Sequence, residues 1–200
     1  MKKLVLSIVL TFVSSALFAG LSLYTEYGQI GLGLGYSFGA EKIYEDDPGK
    51  SVDGVLAYGC LIDDQDTGNG LGLLFRSDFS VGIQDNPGTD IDFFVGITLS
   101  HTFFERNRLA VSAGPAFITH TPYESASYKH RNDEASLIGA GCDISYTFIP
   151  DYPSEEFFQF QYTVGVAGYA ATTYDSKRHY DCMHVFPYIA LTMVIRQMEF

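Results

Sequence analysis

From Gly28 onward the chain alternates large apolar side chains with small or polar ones, a period of two that marks β-strands. Between Gly28 and Gly39, Ile30, Leu32, Leu34, Tyr36 and Phe38 share one face, while Gly31, Gly33, Gly35 and Ser37 share the other. A loop carrying Asp46-Asp47-Pro48-Gly49 precedes a second strand at Gly54–Ile62, and the turn 63–69 precedes a third at Leu71–Ile83. The Asn86-Pro87-Gly88 turn leads to a fourth at Ile91–Ser100, and a tight turn near 105–107 leads to a fifth at Leu109–Phe117. After the polar stretch 120–134 come a sixth strand (Ile138–Phe148), a seventh (Phe158–Val166) and a last one over Val185–Phe200. The last is irregular: Ile189, Leu191, Met193 and Ile195 face one way and Tyr188, Val194, Met198 and Phe200 the other, which predicts a bulge or a change of facing and leaves the register of this strand open.

The expected architecture is therefore all-β, an eight-stranded antiparallel up-and-down transmembrane β-barrel. Alternation alone fits a soluble lipocalin-like barrel equally well, so the placement of charge decides. Lys42, Lys50, Lys129 and Lys177, every lysine after the first three residues, read as loop residues. The charges within strands, Arg76, Asp78, Asp92 and Asp143, fall opposite the large apolar residues. A lipid-facing wall requires this, because a midplane Arg or Lys on it costs about 2–4 kcal/mol. Aromatics cluster towards strand ends, Phe38, Phe93 and Phe117 at one rim and Phe103, Tyr146, Phe148 and Phe158 at the other, as interfacial girdles do. With the N-terminus in the periplasm, the connections after strands one, three, five and seven face outward.

Residues 1–19 read as a cleaved signal peptide: Lys2 and Lys3, an apolar run from Leu4 to Val13, then small residues, with cleavage after Ala19 or Ala16. Residues 20–200 form one barrel domain. Without Lys2 and Lys3, ten Lys and Arg stand against 24 Asp and Glu, which excludes a nucleic-acid partner. Cys60, Cys142 and Cys182 are too few for a disulfide framework, and Cys60 and Cys142 read as small buried hydrophobes within strands.

The Gly/aromatic alternation over the mature chain and the terminal Phe200 resemble the small eight-stranded outer-membrane barrels, the class of the OmpA membrane domain, OmpX, OmpW and the opacity proteins. The resemblance implies outer-membrane lipid and the outer-membrane insertion machinery as partners, with Phe200 as the insertion signal.

An eight-stranded interior is narrow enough for side chains to fill. Arg76, Asp78, Asp143 and Gln161 are expected to form a lumen network, either a satisfied structural one or a narrow polar path. The lumen-side glycines of strand one either leave room for a small solute or relieve crowding. His179, Cys182 and His184 in the last outer loop, with His130 from the preceding one, are the only candidate ligands for zinc or copper, at a spacing that matches no metal motif. Asp63, Asp64 and Asp66 before Gly68 fail the calcium-loop spacing. No cofactor is expected. Ser100 beside His101 and His120 beside Thr121 supply no assignable nucleophile-base-orienter set. The leading expectation is a non-enzymatic surface protein whose barrel displays outward loops. The alternatives are a narrow channel for small or apolar solutes and a secreted soluble ligand-binding barrel.

Overall fold

The computed structural model describes residues 22–38, 49–84, 88–122, 135–150, 159–173 and 181–199. They form eight strands: β1 (Ser22–Phe38), β2 (Gly49–Asp64), β3 (Asn69–Gln84), β4 (Gly88–Phe103), β5 (Asn107–Pro122), β6 (Ala135–Phe148), β7 (Gln159–Thr173) and β8 (Asp181–Glu199). Each pairs antiparallel with the next, and β8 returns to β1, closing the barrel.

The register fixes the shape. Stepping across paired residues from Glu26 through Cys60, Leu73, Ile97, Ala113, Cys142, Gly168 and Val185 leads back to Tyr36, ten residues further along β1. With strands spaced about 4.8 Å apart and rising about 3.3 Å per residue, such a stagger tilts them by roughly 40°. The ladder skips Leu34 and Gly35 opposite Pro187 and Phe186. It also skips Val95 and Gly96 opposite Pro115 and Gly114. In each case the proline lacks the N–H a ladder bond needs.

The two faces are inverted relative to a soluble protein. Ile30, Leu32 and Ile189 are 66, 64 and 67% exposed, whereas Asp53, Asp78 and Asp92 are wholly buried. Along β4, Ile91, Phe93, Val95, Ile97 and Leu99 point outward and Asp92, Phe94, Thr98 and Ser100 inward. A wall of this kind is stable only against hydrocarbon, where closure also pairs the strand edges. The soluble ligand-binding alternative, which needs the apolar set enclosed, is thereby set aside.

The strands run further than the apolar pattern indicated, and several expectations change with them. β1 starts at Ser22, which brings Glu26 into the wall, on its outer face by the alternation. β2 takes in Lys50, Asp53, Asp63 and Asp64, so not every lysine lies in a loop. β8 starts at Asp181, so Cys182 and His184 are strand residues rather than loop residues. The expected irregularity in β8 is present: Glu26 pairs with Arg196 and Tyr27 with Val194, leaving Ile195 over as a bulge. Cys142 is exposed on the outer wall and Cys60 half-buried, against the expectation that both are buried. Connections 39–48, 85–87, 123–134 and 174–180 lie at one end, here the loop end. Connections 65–68, 104–106 and 149–158 lie at the other, the turn end, and the last of these is as long as most of the loops. The signal-peptide residues, Lys42, Lys129, His130, Phe158, Lys177, His179 and Phe200 lie outside the described residues.

Candidate functional site inside the barrel

Lumen-facing positions of the eight strands converge on a polar and aromatic column. At its middle is Arg76 of β3. Its Nε donates to both Asp78 oxygens at 2.9 and 2.8 Å, and its Nη1 donates to Asp143 Oδ1 of β6 at 2.7 Å. The Tyr188 hydroxyl donates to the same Asp143 oxygen at 2.8 Å, and the Tyr169 hydroxyl donates to Asp78. The guanidinium also lies over two rings of β8, 4.2 Å from the Tyr188 centroid and 5.1 Å from that of Phe186. The planar, weakly hydrated guanidinium can lie on these rings while its edge donates to both carboxylates, which a lysine ammonium, a point charge, cannot reproduce. Phe94 meets Tyr169 edge to face at 6.2 Å and completes the layer.

Towards the loop end His184 of β8 spans the lumen between two carboxylates. Its Nδ1 is 3.0 Å from Asp92 Oδ2 on β4, and its Nε2 is 3.4 Å from Asp53 Oδ1 on β2. Ser51 and Ser80 donate to Asp53 from their own strands. Towards the turn end hydroxyls replace charges. Gln29 donates to Thr192 at 3.1 Å, Thr192 and Thr163 are 2.7 Å apart, and Thr163 and Thr147 are 2.9 Å apart. Below them Arg108 of β5 donates to Asp63 Oδ2 at 2.8 Å, with Ser100 on the other Asp63 oxygen at 3.3 Å. A cavity of about 610 Å³ opens there, lined in part by Asp63, Arg108, Gln159 and Gln161.

Three of the four residues expected in a lumen network, Arg76, Asp78 and Asp143, therefore meet directly. Gln161 is buried but lines the turn-end cavity instead. The metal candidates are not brought together. Cys182 is buried inside the wall near the loop end, and both ring nitrogens of His184 face carboxylates. Among the described residues, no group of three or more His, Cys, Asp and Glu side chains is arranged to hold a metal ion. In the calcium-like stretch Asp63 is salt-bridged to Arg108, while Asp64 caps the turn by accepting from the Asp66 amide and the Thr67 hydroxyl. Ser100 points inward and His101 outward, where its ring meets Asn69 at 3.1 Å, so the two form no dyad.

The sequence reading missed Asp53, His184, Asp63 and Arg108 as interior groups, along with the aromatic filling by Phe94, Tyr169 and Phe186. The signal was present: each continues its strand's alternation on the polar side. It was hidden because the windows chosen for apolar residues end before Asp53, Asp63, Arg108, Tyr169 and His184, while Phe94 and Phe186, inside their windows, are apolar residues on the polar side.

An outer wall of hydrocarbon side chains around a buried polar column defines a transmembrane β-barrel of the small eight-stranded kind. The chain shares this fold with Neisserial surface protein A (NspA), at TM-score 0.51 and 9% sequence identity over 88% of this chain and 99% of that one. The outer membrane protein OprG from Pseudomonas aeruginosa overlaps more loosely, at TM-score 0.37 and 10% identity over 90% of this chain and 96% of that one. No family model matches the chain, and no curated protein matches it in sequence.

Proposed function

We propose that this protein is a non-enzymatic outer-membrane barrel with a closed interior, which anchors and displays its loop end at the bacterial surface, for membrane integrity or contact with a surface partner. Residues 1–19 act as the export signal, and Phe200, next in sequence after β8, is read by the outer-membrane insertion machinery. The observation that carries the closed interior is the central layer. Arg76, Asp78, Phe94, Asp143, Tyr169, Phe186 and Tyr188, all at most 4% exposed, reach across the lumen from five strands. Opening a path there means separating Arg76 from two buried carboxylates, and breaking a buried pair is costly.

A narrow channel is the second reading, favoured by the ladder of Thr147, Thr163, Thr192 and Gln29 that leads from the turn-end cavity towards Arg76. Planar-bilayer recordings of the refolded protein and of Arg76→Ala separate the two. The closed-interior reading expects no discrete current steps from either protein, because the rings of Phe94, Tyr169, Phe186 and Tyr188 still fill the layer in the variant. Discrete steps from the wild type would replace it with the channel.

A further inference from the structure

Near the strand ends the outer wall is not wholly apolar, and one of its charged residues stands beside a hollow in the wall. Glu26 occupies an outward position of β1, in line with Ile30, Leu32 and Leu34 and opposite Cys60 of β2. It lies near the turn end, within the aromatic belt formed by Tyr24, Tyr146, Phe148, Phe160 and Tyr162. Two tyrosines flank it. The Tyr24 hydroxyl donates to Glu26 Oε1 at 3.0 Å, and Tyr58 of β2 interacts with the same carboxylate from the other side.

Immediately beside it the wall is hollow. A groove of about 580 Å³ begins at Tyr24 and Cys60 and crosses β3 and β4 to Val111 and Ala113 of β5. Its depth comes from the small outward residues Cys60 and Ala113, set among Ile62, Leu71, Leu73, Ile97 and Leu99. Water does not fill a hollow of this composition in the lipid-facing wall, and the strand tilt carries it from the belt towards the middle of the membrane.

We infer that Glu26 and this groove form a seat for one phospholipid of the leaflet on the turn-end side, with an ammonium-bearing zwitterionic headgroup of the phosphatidylethanolamine type. The ammonium N–H groups donate to the Glu26 carboxylate, and one acyl chain lies along the groove over Gly72 and Ala113. A primary ammonium supplies these hydrogen bonds, whereas a quaternary ammonium has none to give and a glycerol headgroup brings only negative charge. The groove's apolar lining fits a hydrocarbon chain, and the charge at its rim fits the head of the same molecule. This seat lies on the outer wall and does not depend on whether the interior conducts.

Native mass spectrometry of the refolded protein, released from micelles containing equal amounts of phosphatidylethanolamine, phosphatidylcholine and phosphatidylglycerol, tests the proposal. The expected result is one retained lipid per barrel, with phosphatidylethanolamine favoured at least fivefold over each of the others. Glu26→Gln is expected to bring the three lipids to parity. Cys60→Phe and Ala113→Phe, each checked for heat-modifiable gel migration as proof of folding, are expected to reduce retention of all three. Equal retention of the three lipids by the wild type would overturn the proposal, as would an unchanged preference in Glu26→Gln. A dimer that forms in place of a lipid-bound monomer would also overturn it, by naming a second copy as the groove's occupant.

Discussion

At the scale of single residues the interior is built by matching aromatics with glycines. A Cβ at position 59 would run into the Tyr27 ring, one at 96 into Phe94, one at 141 into Phe94 and Tyr169, and one at 165 into Tyr188. On β1 the same holds for Gly35, whose missing side chain leaves room for Ser51, Asp53 and His184. The question left open by the sequence, whether the β1 glycines hold a solute or relieve crowding, is answered at Gly33 and Gly35 by Phe186, Tyr188 and His184, which take the space. Alternation exposed the glycines but not their partners, because an aromatic on the polar side of a strand looks like an interruption of the pattern. Gly59→Val should destabilise the barrel by about 1–3 kcal/mol through overpacking. The double variant with Tyr27→Ala should be more stable than the sum of the single effects by about 1 kcal/mol or more. Urea unfolding in vesicles measures both; additive effects would show that the two side chains do not share the space.

At the scale of the strands, the number and order of all eight and the facing of the first seven were legible in the sequence, as was the irregularity of the last, whose register was not. Their ends were not. β1, β2 and β8 each extend by several residues, and polar side chains such as Thr25, Asp53, Asp63 and His184 take many of their lumen-side positions, beside Tyr27 and Cys182. A pattern judged by its apolar half stops too early there, and that is why His184 was assigned to a loop and Glu26 was overlooked. Facing itself is open to a direct test on β1. Leu32, 64% exposed near the middle of its strand, points to hydrocarbon. Leu32→Arg should therefore cost about 2–4 kcal/mol in vesicle unfolding. A soluble barrel would accept the change within about 0.5 kcal/mol, as exposed surface positions do.

At the scale of the whole molecule, 24 acidic residues against 12 basic ones and a wall of exposed hydrocarbon are reconciled by inversion: much of the charge is inside or at the ends. The fold resembles that of NspA at 9% identity, as expected if the pleat and the lipid set the pattern while individual side chains vary freely. The candidate site was only partly legible for the same reason. A network that crosses the lumen, such as Arg76 with Asp143, joins residues 67 positions apart, and its partners follow from the stagger of the closed barrel rather than from local spacing.

The chain contains no tryptophan, so a single introduced indole reports one position without background. Phe93→Trp, Val95→Trp, Ile97→Trp and Leu99→Trp place it at successive outward positions along β4, in vesicles whose lipids carry bromine at defined chain depths. Outward-facing apolar walls predict strong quenching by brominated chains at all four positions, deepest for Val95 and Ile97, with little quenching by aqueous acrylamide. Strong acrylamide quenching with none from the brominated lipids would contradict the account at its root.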